Sequence, residues 1–198
     1  MSKKIVLMAA VFAFSGLVPC FAFQTPEEQA IQEIEKIGGS VRKIAANVDW
    51  KEAAFHLSGT DLNDDGLVHV AKITKLTWLN LRGTKITDAG LAHLAGLTDL
   101  KRLHLEKTEI GDEGLKHLAG LSNLEYLNLY GTKVTDAGLD QIANLKNLKK
   151  VYLWQSGATE EGVKKLQEKL PELEIVLGAK LEPAKPAEPE KKPEEKKE

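Results

Sequence analysis

The stretch that decides the fold is residues 76–100, which read LTWLNLRGTKITDAGLAHLAGLTDL. Residues 78–82 alternate between apolar and polar side chains, which predicts a short strand with one buried face. The second half of the stretch carries leucines at three-residue steps over residues 91–97, which predicts a helix or a tighter helical turn. A strand, a turn and a helical segment therefore follow one another within one short unit.

This unit recurs every 24 residues, and four columns of the sequence keep that period. The columns are Leu79, Leu103, Leu127 and Val151; Leu81, Leu105, Leu129 and Leu153; Thr60, Thr84, Thr108, Thr132 and Ser156; and Gly66, Gly90, Gly114, Gly138 and Gly162. One unit is too small to bury its leucines, whereas stacked units bury them in a continuous core. Strands pack about 4.8 Å apart and helices about 8–10 Å apart, so such a stack bends with its strands on the concave side.

The pattern LxxLxLxxTxI over residues 76–86 resembles the leucine-rich-repeat signature, with threonine where the family usually has asparagine or cysteine. The run GTKITDAGLAHLAGLTDL is similar to the repeats of the ribonuclease-inhibitor-like subclass, in a bacterial exported version with 24-residue Thr-type units. The likeness covers about Phe55 to Leu177. It implies an α/β leucine-rich-repeat solenoid with parallel strands on the concave face, helices on the convex face and a role in binding other molecules. The threonine column, from Thr60 to Ser156, is expected to tie together the turn after each strand, because a hydroxyl both donates and accepts.

Other segments flank the predicted repeat domain, which spans residues 54–178. Residues 24–53 are predicted to form a helical cap, since residues 25–28 combine a threonine N-cap, a proline and a glutamate at the third helical position. An extra edge strand is expected at 41–44 and a closing strand at 174–177. The tail of residues 179–198 is rich in proline, lysine and glutamate and is predicted to be disordered, with a spacer or weak partner-binding segment as the alternative.

Residues 1–22 are typical of a secretory signal peptide: two lysines, an apolar stretch over 5–17, and small residues before a cleavage site after Ala22. The apolar stretch is shorter than the ~20 residues that span a bilayer as a helix. The mature protein is therefore expected to be exported, either periplasmic or secreted. Cys20 supports a second interpretation, because residues 17–20 resemble a lipoprotein processing site, although the proline before the cysteine departs from that pattern. Only the lipidated form would be attached to a membrane.

Composition and spacing argue against several classes of site. The chain has one cysteine and a net charge of −2, so it cannot form an internal disulfide, and it has no basic excess for nucleic acid. His69, His93 and His117 share the repeat period, but helices about 8–10 Å apart keep them from converging on one metal. Residues 61–66 resemble the start of a calcium loop, but Lys72 stands where that loop needs an acidic ligand. No metal and no cofactor are expected.

The candidate binding surface consists of the strand residues that point away from the core. By register these are Ala54, His56 and Ser58; Trp78, Asn80 and Arg82; Arg102, His104 and Glu106; Tyr126, Asn128 and Tyr130; and Lys150, Tyr152 and Trp154. Ligand contacts are predicted for Trp78, Arg82, Arg102, His104, Tyr126, Tyr130, Tyr152 and Trp154. Exposed aromatic residues beside arginine are typical of binding hot spots. Packing between neighbouring strands, without any ligand, is the alternative explanation.

A protein is the expected partner, because the resemblance points that way. A glycan is a second possibility, since aromatic rings also suit sugars, and a structural or cell-wall-associated spacer is a third. His104 and Glu106 project from one strand face and resemble an acid–base pair. An open sheet lacks the deep pocket that catalysis needs, so we predict no catalytic residues and no enzyme activity.

Overall fold

The computed structural model describes residues 24–55 and 62–178. The predicted signal peptide with Cys20, the predicted tail, the outward positions His56 and Ser58, and the first column residue Thr60 lie outside the described residues. No helix within the described ranges has the length and apolar character that a membrane crossing requires.

The described chain alternates strands with short helices. The helices are α1 (Pro26–Lys36), α2 (Leu67–Val70), α3 (Asp88–Leu91), α4 (Asp112–Leu115), α5 (Asp136–Ile142) and α6 (Glu160–Lys169). The strands are β1 (Ser40–Lys43), β2 (Lys51–Ala54), β3 (Leu76–Asn80), β4 (Arg102–His104), β5 (Tyr126–Asn128), β6 (Lys150–Tyr152) and β7 (Glu174–Val176). Three 3-10 turns, Asp64–Gly66, Ala92–Leu94 and Lys116–Leu118, adjoin α2, α3 and α4. The tighter helical turn predicted from the three-residue leucine steps is therefore present.

The seven strands form one sheet in chain order. Strand β1 is antiparallel to β2, and every later neighbour pair is parallel. From β3 onward each strand pairs with the next at the 24-residue step, so Trp78 faces Arg102 and Tyr126 faces Lys150. Parallel strands need a crossover between them, and the short helical segments supply it. The predicted leucine-rich-repeat solenoid is confirmed.

The leucine columns fill the space between the sheet and the helices. Leu79, Leu103, Leu127 and Val151 have no exposed surface. Burying one such side chain contributes about 1.5–3 kcal/mol, and each column repeats that contribution in every unit. Stacking therefore stabilises units that could not fold alone.

The N-terminal helix caps one end of this core. Its start is the predicted one: the backbone N–H of Glu28 donates to Thr25 Oγ1 at 3.2 Å, and the N–H of Thr25 donates to Glu28 Oε2 at 2.8 Å. Ile34 is fully buried, and β1 then adds the expected edge strand. The apolar side of α1 covers the first repeat, and its exposed side is polar, as the terminal unit of a solenoid requires.

The register predicted for the first unit is wrong by two residues. The 24-residue step places Ala54 beside Trp78, but Glu52 pairs with Trp78 and Ala54 pairs with Asn80. A bulge between Lys51 and Glu52 accompanies this shift. The outward positions of the first strand are therefore Glu52 and Ala54, and the first step between strands is longer than the later ones.

The threonine column acts inside each unit. The hydroxyls of Thr84, Thr108, Thr132 and Ser156 each donate to the backbone carbonyl three residues earlier, at 2.7 to 2.8 Å. The three threonines are buried, and each hydroxyl closes the turn that follows its own strand. The column therefore holds the turns and does not link neighbouring units.

A column of aspartates, which the repeat pattern did not single out, links each unit to the next. Asp64 Oδ1 accepts from the backbone N–H of Thr87 at 2.8 Å, and its Oδ2 accepts from the Thr87 hydroxyl at 2.6 Å. Asp112 and Asp136 hold the threonine of the following unit in the same way, at 2.6 to 2.8 Å. Thr87 occupies the N-cap position of α3, but its hydroxyl donates to Asp64 and makes no side-chain cap bond.

The glycine column leaves room for these carboxylates. A Cβ atom on Gly114 would lie 2.5 Å from Asp88 Oδ1, which is closer than real contacts allow, and 3.1 Å from Asp88 Cα, which is a tight contact. The same conflict, with the aspartate of the preceding unit, holds at Gly90, Gly138 and Gly162. Close approach between units therefore requires glycine at this position.

Candidate binding surface

The face of the sheet that points away from the core, called the open face here, carries all eight predicted contact residues. It consists of the outward residues of β3 to β6 and the second residue after each of these strands: Trp78, Asn80, Arg82, Arg102, His104, Glu106, Tyr126, Asn128, Tyr130, Lys150, Tyr152 and Trp154. Strand alternation places them there, because the leucines between them are buried on the other side. These side chains share a face because successive side chains of a strand point to opposite sides of the sheet.

Four rings cross the open face in a zigzag row. The ring centroids of Trp78 and His104 lie 5.5 Å apart, those of His104 and Tyr126 4.9 Å, and those of Tyr126 and Tyr152 5.5 Å. Tilted pairs at this spacing contribute about 0.5–1.5 kcal/mol each beyond their burial. Burial also raises the pKa of the Tyr126 phenol. This row matches the ladder that packing alone would build.

A second pair of rings is less enclosed. Tyr130 and Trp154 stack with centroids 5.1 Å apart and planes inclined by 17°. Trp154 keeps 50% of its surface exposed to solvent. Gly178 lies flat against the Trp154 indole, where any Cβ would collide with the ring. The backbone after β7 therefore supports one side of this indole, and the rest of it faces outward.

A glutamate lies between the two groups of rings. Glu106 is only 7% exposed. Its Oε1 atom contacts His104 Nδ1 at 2.9 Å and accepts from Asn128 Nδ2 at 2.7 Å. Its Oε2 atom is shielded from solvent and has no hydrogen-bond partner among the described residues. The His104–Glu106 contact expected from their spacing is present, and the bond to Asn128 fixes the carboxylate from the neighbouring strand.

Two cavities lie along the open face within the described residues. One, of about 320 Å³, is lined by Arg82, Glu106, Asn128, Tyr130, Tyr152, Trp154, Val176 and Gly178. The other, of about 400 Å³, is lined by Ile44, Trp50, Glu52, Thr77, Trp78, Lys101, Arg102 and Glu125. Aromatic and charged side chains line both. Six of the eight predicted contact residues line one of these cavities, and the other two, His104 and Tyr126, are in ring contact with a lining residue. The guanidinium of Arg102 also lies over the Tyr126 ring, 5.6 Å from its centroid.

Trp50 belongs to this surface, although sequence reasoning left it out. It lies in the connection between β1 and β2, is 47% exposed, and has Lys101 Nζ 4.9 Å from its ring centroid. It precedes the repeats, so no column contains it. The available signal was an apolar ring directly before a strand in a predicted cap.

No group of three or more metal-ligating side chains converges anywhere in residues 24–55 and 62–178. Asp64, from the segment that resembles a calcium loop, instead contacts Thr87 of the next unit. His93 and His117 are exposed on the helical side, away from the open face.

Comparisons with known proteins place the repeats in a family. A family model described as leucine rich repeat matches residues 74–134. No curated protein matches the chain in sequence. Similar solved structures include an internalin (inlF) from Listeria monocytogenes, which is 25% identical over 57% of this chain with a TM-score of 0.48. This chain covers 31% of that internalin.

Two further structures are similar over longer shares. Internalin C2 from Listeria monocytogenes is 21% identical, covers 63% of this chain, is itself covered to 69%, and has a TM-score of 0.44. The ectodomain of the receptor kinase SOBIR1 from Arabidopsis thaliana is 17% identical, covers 77%, is covered to 91%, and has a TM-score of 0.48. The 24-residue period, the sheet built from it and the family match over residues 74–134 show that this chain contains leucine-rich repeats stacked as a solenoid.

Proposed function

We propose that this protein is an exported binding module that holds a protein partner against its open face. Leucine-rich-repeat proteins commonly mediate protein–protein interactions and are typically not enzymes. Export rests on the signal peptide predicted at residues 1–22. The proposal assigns no catalytic residue.

The observation that carries the proposal is the exposed Tyr130–Trp154 stack. A ring pair that served only the sheet would gain from complete burial, yet half of Trp154 faces solvent. Arg82 lies beside the stack in the same cavity, is exposed, and its side chain has no partner among the described residues. Rigid aromatic rings with an adjacent arginine are the residue types that dominate interface energetics.

The test removes the stack and leaves the fold. Changing Tyr130 and Trp154 together to alanine deletes one half-buried ring, one exposed ring and no core side chain. Hot-spot aromatics contribute about 2 kcal/mol or more each, so partner affinity is expected to fall by about 100-fold or more. The matched control changes His93 and His117 to alanine, because both are exposed on the helical side.

Proximity labelling in the native cell identifies the partner, and direct binding to the purified chain then measures the affinity of each variant. The control should bind like the wild type. Equal binding by the Tyr130 and Trp154 double variant would show that the open face is not the partner surface.

A structural spacer is the second candidate, and the zigzag row from Trp78 to Tyr152 favours it. Those rings contact one another and need no ligand to account for them. A spacer would return no specific partner in the labelling experiment, and Trp78→Ala would lower stability without affecting any interaction.

A further inference from the structure

We propose that the cavity of about 320 Å³ beside Trp154 receives one cationic side chain, lysine or arginine, from the partner polypeptide. This inference rests on the proposed function, because it names what the partner presents to the open face. The group that reads the cation is the carboxylate of Glu106.

Glu106 is the observation that points to a ligand. More than nine-tenths of the residue is buried, and it lines the cavity. One carboxylate oxygen already has two contacts, whereas Oε2 has none among the described residues and is shielded from solvent. A buried, unpaired carboxylate oxygen is costly, and a charged donor compensates for it best. Because Oε1 is held by His104 and Asn128, Oε2 is the carboxylate atom left to accept from an arriving donor.

The walls of the cavity also favour a cation. Tyr130, Tyr152 and Trp154 supply ring faces, and a cation within about 6 Å of such a face is attracted by the ring quadrupole. The chain itself uses this attraction at the same rings: Lys107 Nζ lies 5.6 Å from the Tyr130 centroid, and Lys150 Nζ lies 5.2 Å from that of Tyr152. A carboxylate among aromatic rings therefore suits an ammonium or guanidinium group better than a neutral one.

Arg82 explains why the cation should belong to a peptide. It lines the same cavity but carries the opposite charge to Glu106, and its exposed side chain has no partner among the described residues. A guanidinium donates hydrogen bonds, and the backbone carbonyls of a bound peptide accept them. A peptide with a basic side chain thus satisfies Glu106 through that side chain and Arg82 through its backbone.

The experiment titrates defined peptides into the 15N-labelled chain and follows the Trp154 indole N–H and the Gly178 amide by NMR. The probes are Gly-Gly-Arg-Gly-Gly, the same peptide with lysine, and the same peptide with citrulline, which keeps the shape of arginine without its charge. The wild type should bind the arginine and lysine peptides at least about tenfold more tightly than the citrulline peptide. Glu106→Gln, a carboxamide of the same size, should remove that difference. The wild-type comparison stands even if this variant folds poorly.

Three results would overturn the inference. The first is equal binding of the citrulline and arginine peptides, or no binding of any of them. The second is that neutral oligosaccharides shift the same two signals while the basic peptides do not. The third is that Arg82→Ala lowers the unfolding midpoint as much as Glu106→Gln, because Arg82 would then be the carboxylate's own partner.

The outcome is separable from the proposed function. If Glu106→Gln binds the labelled partner normally while the Tyr130 and Trp154 double variant does not, the open face binds protein but this cavity does not read a cation. If the double variant also binds normally, the proposed function itself fails.

Discussion

Gly111 is a gap in the column that links the units, and filling it should stabilise the protein. Thr87, Thr135 and Thr159 each place a hydroxyl 2.6 to 2.7 Å from the aspartate of the preceding unit. Gly111 occupies the equivalent position and gives Asp88 only its backbone N–H, at 2.7 Å. We therefore expect Gly111→Thr to restore the missing bond.

The backbone already suits a threonine there. Gly111 has φ −120° and ψ −159°, close to the φ −119° and ψ −177° of Thr87, so no strain arises. An added Cβ would lie 3.4 Å from Asp88 Oδ2 and 4.0 Å from the Cβ of Lys133, both ordinary contacts. The hydroxyl would thus start within reach of the oxygen that it is meant to contact.

Two contributions make up the expected gain. Replacing glycine at a compatible position stabilises by about 0.4–1 kcal/mol, because the unfolded chain loses freedom. A hydrogen bond to a charged group contributes about 1.5–3 kcal/mol when buried, and we expect about 1 kcal/mol at this half-exposed site. Gly111→Thr should therefore raise the free energy of unfolding by about 1–2 kcal/mol, with Gly111→Ala accounting for less than half.

Urea unfolding followed by both circular dichroism and tryptophan fluorescence measures these differences. Asp88→Ala completes a double-mutant cycle, because it removes the acceptor. In that background, threonine at position 111 should stabilise no more than alanine does. The reasoning is refuted if threonine and alanine are equal in the wild-type background, or if the advantage of threonine survives the loss of Asp88.

Three further predictions concern the same joints and turns. Gly114→Ala should cost about 1–3 kcal/mol, because its Cβ would collide with Asp88, whereas Gly96→Ala, with nothing within 4 Å, should be neutral in the same urea titration. Thr132→Val removes the buried hydroxyl that donates to the Leu129 carbonyl at 2.8 Å and leaves that carbonyl only the longer bond from the Thr132 N–H at 3.3 Å, so the unfolding free energy should fall by about 1 kcal/mol; an unchanged midpoint would contradict the assigned bond. Hydrogen bonds from a backbone N–H and then a hydroxyl of the next unit lower the pKa of Asp136. Because its folded-state pKa lies below the unfolded one, Asp136 stabilises the fold above about pH 4 and loses this effect as the pH falls through the folded-state pKa. In unfolding experiments at a series of pH values below about 4, the unfolding free energy of Asp136→Asn should fall less steeply with decreasing pH than that of the wild type, and an unchanged slope would count against this assignment.

The repeat period made most of the fold predictable. Identical columns fix the strand, the turn and the helical segment of each unit, and stacking follows because no unit can bury its leucines alone. The first register was not predictable, since the shift at Lys51 and Glu52 breaks the period before the repeats settle into it. A 24-residue period cannot predict the pairing of β2 with β3, which departs from that period.

The aspartate column shows why a regular sequence can still mislead. Asp88 follows Thr87 at the start of a helix, and both residues are typical helix caps. The partner of each aspartate is a threonine or glycine 23 residues later, in the turn of another unit. A capping rule based on nearby residues cannot predict this contact, because the N–H that donates to the aspartate becomes its neighbour only after the units stack.

The sequence predicts which residues lie on the open face but not which of their side chains contact one another. Alternation alone placed Tyr130 and Trp154 on one side, and the structure adds that their rings stack. Which oxygen of Glu106 is occupied depends on the side-chain conformations of His104 and Asn128, which spacing does not specify. Trp50 could not be assigned because its position depends on a hairpin outside the repeats.

The joint between Asp112 and Thr135 has the same design as the joint that follows it, between Asp136 and Thr159. Each of the four described joints joins an aspartate of one unit to a backbone N–H of the next, so consecutive units are similar building blocks with a built-in direction. An in-frame duplication of one block would create a new joint identical to the old ones. The array can thus lengthen, and its open face widen, by simple copying of a stretch of gene.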